Sequence, residues 1–434
     1  MSQVPVPSGY LACGWNAGIK DNTLDFGCIH SSRPATAAAV FTRNQFPGNP
    51  VIVGREHIAD GRLQTIVVNS KNSNVATGQA GLKLAQDMCL WTAEALNIDK
   101  SLVLPSSTGV IGRMPPADRL EAACKDLPGK LDSADFDAFS KAIMTTDAFP
   151  KIKGYSLKNG STVLGIAKGA GMIEPNMATM LSYLVTDANM EARDLNRLLK
   201  FCVNRSFNRI SVDSDTSTSD TVVLMANGAT GRPPFRFPAA LEDLWAEQTL
   251  ETILGDPLPP TGDSADGIER SNPWPDHISE EDLEFIRAVL RTCIYLSREI
   301  VRDGEGASRF FEVMIVGART KESAYKFGRS LINSPLIKTA IHGADPNWGR
   351  IIMAIGKVFD EPIKPDQIKI YAGDQLLFAG AGKELGPDLE KLKEHFQSPE
   401  IRLKVDLDLG TQFERFWSSD LTADYVRLNA DYTT

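Results

Sequence analysis

This sequence predicts a mixed α/β protein, with layered sheets packed face to face and helices on the outside. Three observations lead there. Short apolar runs of strand character alternate with stretches of helical apolar spacing in both the first and the last third of the chain. At 434 residues the chain can bury a large two-layered core or divide into more than one domain. Hydrophobic residues make up 42% and charged residues 23%, the balance of an ordinary soluble globular protein, in which both element types pack as layers.

Taken in order, Ala37 to Phe41 (AAAVF) and Thr65 to Asn69 (TIVVN) read as strands ending in polar loops. Gly78 to Leu96 carries Leu82, Ala85, Met88, Ala95 and Leu96 near helical spacing and reads as an amphipathic helix. Ser101 to Leu104 is a strand running into the turn PSSTG. A second helical stretch follows Pro115, then a Ser/Asp-rich loop and the strand Ser161 to Ala167. Residues 227–282 contain GRPPFRFP, GDPLPPTGDSADG and SNPWPDH. Repeated Pro and Gly break both helix and strand, so this is a surface excursion or linker. Ser279, with Asp282 three residues on, caps a helix that ends at Asp303-Gly304. In the last third FFEVMIVGA (Phe310 to Ala318) is a strand and Lys321 to Leu331 a helix, while IIMAIGKVF, IKIYAG, QLLFAG and RLKVDLDLG are strand-like. There is no internal repeat and no coiled-coil heptad.

Composition excludes several function classes. A net charge of −9 with no basic stripe argues against nucleic-acid binding. The six cysteines have no CxxC spacing, the five histidines are dispersed, and HExxH is absent, so no metal site is expected. Asp213, Asp215 and Asp220 invite a calcium reading, but the run lacks the glycine and terminal glutamate of an EF-hand loop. The N-terminus lacks the charged and apolar regions of a signal peptide, and no segment reaches the length of a membrane span. The expected location is cytoplasmic, with free thiols and no membrane partner.

The most informative stretch is GIAKGAGMIEPNMATMLSYLVTDA, Gly165 to Ala188. By residue type alone it is a glycine-rich turn between two buried strands, with its methionines as packing. It is not a dinucleotide fingerprint, since the third glycine is missing, nor a P-loop, since no GK[ST] follows. KGAGMIEPNMATML nevertheless closely resembles the self-cleavage motif of the ornithine acetyltransferase (glutamate N-acetyltransferase) family. The resemblance runs nearly end to end, through PATAAAVFTRN, SSTGVIG, TTDAFPK, SFNRISVDSDTSTSDT, RDGEGA, GADPNWGRI and DLTADYVRLNADYTT.

The resemblance implies a break between Ala178 and Thr179, giving an alpha chain (1–178) and a beta chain (179–434) that stay associated. The beta chain then holds the 227–282 excursion and a mixed α/β region, 305–434. Attack of Thr179 Oγ on the Ala178 carbonyl turns the peptide into an ester, which water hydrolyses. The exposed α-amine, with a reference pKa of about 7.7–8.0, then serves as the base that a weak hydroxyl nucleophile needs. By the same resemblance Thr179 carries an acetyl group from N-acetylornithine to glutamate without a cofactor. Thr108 and Gly109 form the oxyanion hole, and Thr145, Lys168, Thr179, Glu305, Asn429 and Thr434 contact substrate. Lys168 suits an α-carboxylate and Glu305 an ammonium group. Each has a plainer reading: Thr145 as a turn cap, Lys168 as a solvated lysine, Glu305 as part of a helix-terminal turn. Acetyl-CoA as a second donor is not fixed by these residues, and a homo-oligomer is the usual assembly for such enzymes. The chain departs from the family wording at Lys71 and Ser73 (glycine and alanine), Ser214 and Ser219 (glycine and asparagine), and Ser418-Ser419 (Gly-Cys), which bears on pocket shape.

Overall fold

The computed structural model describes residues 4–174, 180–238, 278–380 and 386–431. Its strands are β1 (Tyr10–Trp15), β2 (Phe26–Phe41), β3 (Arg62–Asn69), β4 (Val103–Ser107), β5 (Lys151–Ser156), β6 (Thr162–Lys168), β7 (Leu181–Thr186), β8 (Ile210–Ser211), β9 (Thr221–Ala226), β10 (Phe310–Ala318), β11 (Lys369–Ala372), β12 (Gln375–Ala379), β13 (Glu400–Asp406) and β14 (Gln412–Ser419). Its α-helices are α1 (Asn49–His57), α2 (Gly78–Leu96), α3 (Ala117–Asp126), α4 (Phe136–Ala142), α5 (Ala192–Asn204), α6 (Glu280–Arg302), α7 (Lys321–Ile332), α8 (Pro335–His342), α9 (Trp348–Gly356), α10 (Leu389–Gln397) and α11 (Ala423–Asp431).

Two mixed sheets organise these elements. The first has the order β4-β3-β2-β9-β7-β6-β5, with β1 paired to the start of β2. Strands β6, β7 and β9 are buried at every position, because both faces of this sheet are covered. One face (Val40, Val163, Leu184, Leu224) packs on α5 and α6, and the other (Ile29, Ile166, Tyr183, Val223) on α4. Each fully buried aliphatic side chain of this kind contributes roughly 1.5–3 kcal/mol. The second sheet, β12-β11-β13-β10-β14-β8, packs against α7 and α9. Phe310 and Trp417 of this sheet share a core cluster with α6 and the first sheet.

The expected mixed α/β class therefore holds, with helices covering both faces of the first sheet and α6 sitting where the two sheets approach. Its N-cap is as read, with Ser279 Oγ accepting from Asp282 N at 3.0 Å. Helix α2 and strand β10 have the expected bounds. Three expectations are corrected. IIMAIG is not a strand but lies in α9, where the Asn347 side chain caps Arg350 N and Ile351, Ala354 and Ile355 line up on one face. A short apolar run fits either period, and the cap decides. Of Ser101 to Leu104 only Val103 and Leu104 are strand: the first two residues belong to a 3-10 turn, Lys100–Leu102, set by Asp99 accepting from Ser101 N, and β4 starts at Val103. Within the 227–282 excursion, residues 239–277 lie outside the described residues, but Phe235 and Phe237 before them are buried, with Phe235 stacked on Phe285 at 4.5 Å.

Candidate active site

Strands β4 and β6, the loops after them, the turn after α6 and the last helix converge on one cleft of about 630 Å³. Thr108, Gly109, Thr145, Lys168, Glu305 and Asn429 all line it. Residues 175–179, with Ala178 and Thr179, lie outside the described residues, as does Thr434. The nearest described lining residues on either side, Ile173 and Met180, open onto the same cleft.

Lys168 ends β6 and is nearly buried. Its Nζ donates to Thr145 Oγ1 at 2.8 Å and to Thr108 Oγ1 at 3.2 Å, joining two segments far apart in sequence. The plainer reading of Lys168 as a solvated lysine thus does not hold. Burial pushes its ammonium pKa down, partly offset by Asp147. Asp147 organises this corner. One oxygen accepts from Gly169 N at 2.6 Å and Lys151 Nζ at 2.7 Å, the other from Thr145 N at 3.0 Å, and Lys168 Nζ stands 3.8 Å away. Burial alone would raise its pKa, but Lys168 and Lys151 outweigh that and hold the carboxyl well below the usual carboxylate range. Lys151, itself buried, also reaches Asp303 at 2.5 Å. A line of alternating charges thus ties Lys168 to the end of α6, two residues before Glu305.

Gly109 is required by geometry. Its φ is +121°, and a Cβ there would stand 2.2 Å from the Lys71 carbonyl oxygen. The amides on either side are engaged, Thr108 N with Asn69 O at 3.1 Å and Val110 N with Lys71 O at 2.9 Å. Glu305 donates its N–H to Ala170 O at 3.0 Å, and its carboxyl lies against Gly171, where a Cβ would come within 2.4 Å of it. The last helix docks over this point: Asn429 Nδ2 donates to Glu305 Oε2 at 2.9 Å and Thr422 Oγ1 to Gly306 O at 2.6 Å.

The polar run 206–221 is a hydrogen-bonded hub, not a solvated loop. Asp213 accepts from Met172 N at 2.6 Å and Ile173 N at 2.8 Å, holding the segment that leads to residue 175. Glu174 N donates to Asp215 O at 3.0 Å, and its carboxyl is held by Arg329 and Asn333. Asp220 is 1% exposed, and neither carboxylate oxygen has a hydrogen bond of ordinary length and angle, although Ser217, Thr42 and Met180 face it. Burial pushes its pKa well up. Among the described residues no cluster of His, Cys, Asp or Glu is arranged to hold a metal ion, and no helix is long and apolar enough to cross a membrane.

Sequence reading missed Asp147, Lys151 and Asp303. The signal was present, since TTDAFPK and RDGEGA place charges beside buried strands and a helix end, but their pairing depends on the fold. The departures divide. Lys71 (φ 86°) and Ser214 (φ 71°) occupy left-handed backbone, where glycine is the unstrained choice. Ser73 and Ser219 line the cleft and bond each other at 2.8 Å, whereas Ser418 is buried and receives Lys338 Nζ at 3.0 Å.

A family model described as the ArgJ family matches residues 11–434. The chain is 40% identical over 429 residues to "Arginine biosynthesis bifunctional protein ArgJ 2" of Clostridium acetobutylicum, covering 99% of this chain and 98% of the relative. It is 36% identical over 433 residues to "Glutamate N-acetyltransferase Oat2" of Streptomyces clavuligerus, covering 99% and 98%. A solved structure of ornithine acetyltransferase complexed with ornithine, from Mycobacterium tuberculosis, matches at 36% identity and a TM-score of 0.38, covering 40% of this chain and 94% of that one. With a model match over almost the whole chain and relatives of this identity along their full length, the chain belongs to the ArgJ family, as its motifs led us to expect.

Proposed function

We propose that the cleft is the active site of a self-cleaving acetyltransferase whose nucleophile is Thr179. The chain is a glutamate N-acetyltransferase (ornithine acetyltransferase) of arginine biosynthesis. The supporting observation is convergence: Thr108, Gly109, Thr145, Lys168, Glu305 and Asn429 meet in the cleft onto which Ile173 and Met180, flanking residues 175–179, also open.

Thr179 Oγ attacks the Ala178 carbonyl and the C–N bond breaks, so the peptide becomes an ester and the Thr179 amine is set free; water then cleaves the ester into a carboxylate on Ala178 and the free Thr179 hydroxyl. Chains 1–178 and 179–434 remain associated, with 305–434 as the mixed α/β end of the second. In the transfer reaction the α-amine takes the Oγ proton while Oγ attacks the acetyl carbonyl of N-acetylornithine. Ornithine leaves with a proton, and the glutamate amine then attacks acetyl-Thr179, freeing N-acetylglutamate and the hydroxyl. Both tetrahedral intermediates place negative charge near Thr108 and the Gly109 N–H. Thr108 Oγ1 already accepts from Lys168, so its own proton is free to donate, and the ammonium strengthens that donor. Lys168 and Thr145 suit the substrate α-carboxylate, while Glu305, Asn429 and Thr434 suit its ammonium-bearing end. The chemistry needs no cofactor with N-acetylornithine as donor; acetyl-CoA is a second donor to assay. The six cysteines are free and buried, which supports a cytoplasmic setting. A homo-oligomer of the paired chains is the expected assembly.

The test is direct. Wild type is expected to run as two bands on a denaturing gel and Thr179→Ala as one, and wild type alone is expected to exchange acetyl between N-acetylornithine and glutamate. A single wild-type band, or two bands without exchange, overturns the reading.

A further inference from the structure

The amine that serves as base in acetyl transfer exists only after cleavage. In the uncut chain the Thr179 nitrogen is a peptide amide without basicity, so the first attack by Oγ needs another group to take its proton. The same nitrogen must gain a proton as it leaves. The uncut chain therefore needs a proton carrier beside the 178–179 bond.

The run 213–221 grips the chain on both sides of that bond. Before it, Asp213 holds the Met172 and Ile173 amides, Asp215 O accepts from Glu174 N at 3.0 Å, and Thr216 Oγ1 donates to Glu174 O at 3.0 Å. After it, Thr221 N donates to Met180 O at 2.9 Å, where β7 and β9 begin their pairing at Leu181 and Thr221. Asp220 thus lies beside Met180, and the Met180 amide faces its carboxylate.

The other carboxylates that this half of the chain brings to the cleft are engaged or open to water. Asp213 is held by backbone amides, Asp215 is exposed, and Glu305 Oε2 accepts from Asn429. Asp220 is buried, and among the described residues neither of its oxygens has a hydrogen bond of ordinary geometry. The Thr42 hydroxyl that faces it donates instead to Ser217 O at 2.7 Å. A buried carboxylate held without donors calls for a role. Burial raises its pKa well above the usual carboxylate range, while the Lys168 ammonium, the charge that faces it, favours the ionised form. A carboxylate so raised is a stronger base near neutral pH than an exposed one.

We propose that Asp220 is the proton carrier of the self-cleavage step. Its carboxylate takes the Thr179 Oγ proton as the bond from Oγ to the Ala178 carbonyl carbon forms. It gives that proton to the Thr179 nitrogen as the C–N bond breaks. The carboxylate is regenerated, and the ester is left for water to hydrolyse. This deepens the self-cleavage reading above and rests on it.

The experiment follows cleavage of the full chain, made by cell-free synthesis, by intact mass at several pH values for wild type and Asp220→Asn. The wild-type rate is expected to rise with pH as the carboxyl ionises and then to level off. Asp220→Asn, of nearly the same size, is expected to slow cleavage by roughly 10²–10⁴-fold and to flatten the profile. Urea unfolding of the uncut variant checks that it is folded. An asparagine variant that cleaves at the wild-type rate, or that is slow but keeps the wild-type pH profile, overturns the proposal. So does a wild-type rate that does not change with pH, whether or not the variant folds. A wild type that stays a single chain overturns the self-cleavage reading and this proposal together, whereas a cleaving wild type with an equally fast variant overturns this proposal alone.

Discussion

The stretches before and after residue 179 bring different charges to the cleft. Before it come Lys20, Lys71 and Lys168, alongside Asp21; after it come Asp213, Asp215, Asp220 and Glu305. The two sets are also held differently. Lys168 is fixed by a buried line of paired charges, Asp147, Lys151 and Asp303, whose members satisfy one another. Asp220, equally buried, has no hydrogen bond of ordinary geometry, while Asp213 is spent on backbone amides. The cleft is therefore electrically divided in a way that suits a zwitterion, and its two most buried carboxylates differ. Lys168 and Lys151 hold Asp147 in its ionised form, whereas burial disfavours the ionised form of Asp220.

The largest expected effect comes from breaking the paired side. Asp147→Asn leaves Lys151 and Lys168 buried with one carboxylate fewer, and denaturant unfolding at pH 7 is expected to lose about 3–5 kcal/mol. Because the Asp147 pKa is depressed in the folded protein, its contribution is present above the unfolded value of about 3.9 and is lost as pH falls through the folded value. The wild-type advantage over the variant should shrink accordingly in acid.

Next is Thr108→Val, which removes the hydroxyl that Lys168 addresses. Steady-state kinetics should show kcat lower by roughly 10²–10³-fold with KM little changed, the pattern of a donor used in the transition state. A change confined to KM would instead assign Thr108 to ground-state binding.

On the acidic side the sign reverses. The Asp220 pKa is raised by burial, so ionising it costs stability above about pH 3.9. Asp220→Asn is expected to be more stable than wild type at pH 7, by about 1–3 kcal/mol, with the gap closing as pH falls toward 4. Urea midpoints across that range check it, and a less stable variant would show that the carboxylate has a partner. The smallest effect is Asn429→Ala, which deletes the 2.9 Å bond to Glu305 and a 3.0 Å bond to Tyr425 O from an exposed helix. A cost of about 0.5–1 kcal/mol should raise KM by roughly two- to fivefold.

Local patterns were legible wherever one physical cause dominated. The 3.6-residue spacing marked α2, the uninterrupted apolar run marked β10, and Ser279 with Asp282 marked the start of α6. Short or polar elements were not legible. Strand β5, KIKGYS, has neither alternation nor an apolar run, and it is a strand because β6 pairs with it. Helix α11 has no buried residue at all, so no apolar stripe could announce it; Thr422 and Asn429 hold it over the cleft.

The sequence by itself determined the element types over most of the core and the family, because these follow from local spacing and from motifs of contiguous residues. Only the tertiary structure decided that Lys168 joins Thr108 to Thr145, that Asp147, Lys151 and Asp303 pair in the interior, and that the tail docks on Glu305. Those contacts link residues 60, 152 and 124 positions apart. Burial and pairing at such separations depend on how strands and helices are brought together, and no local pattern records that.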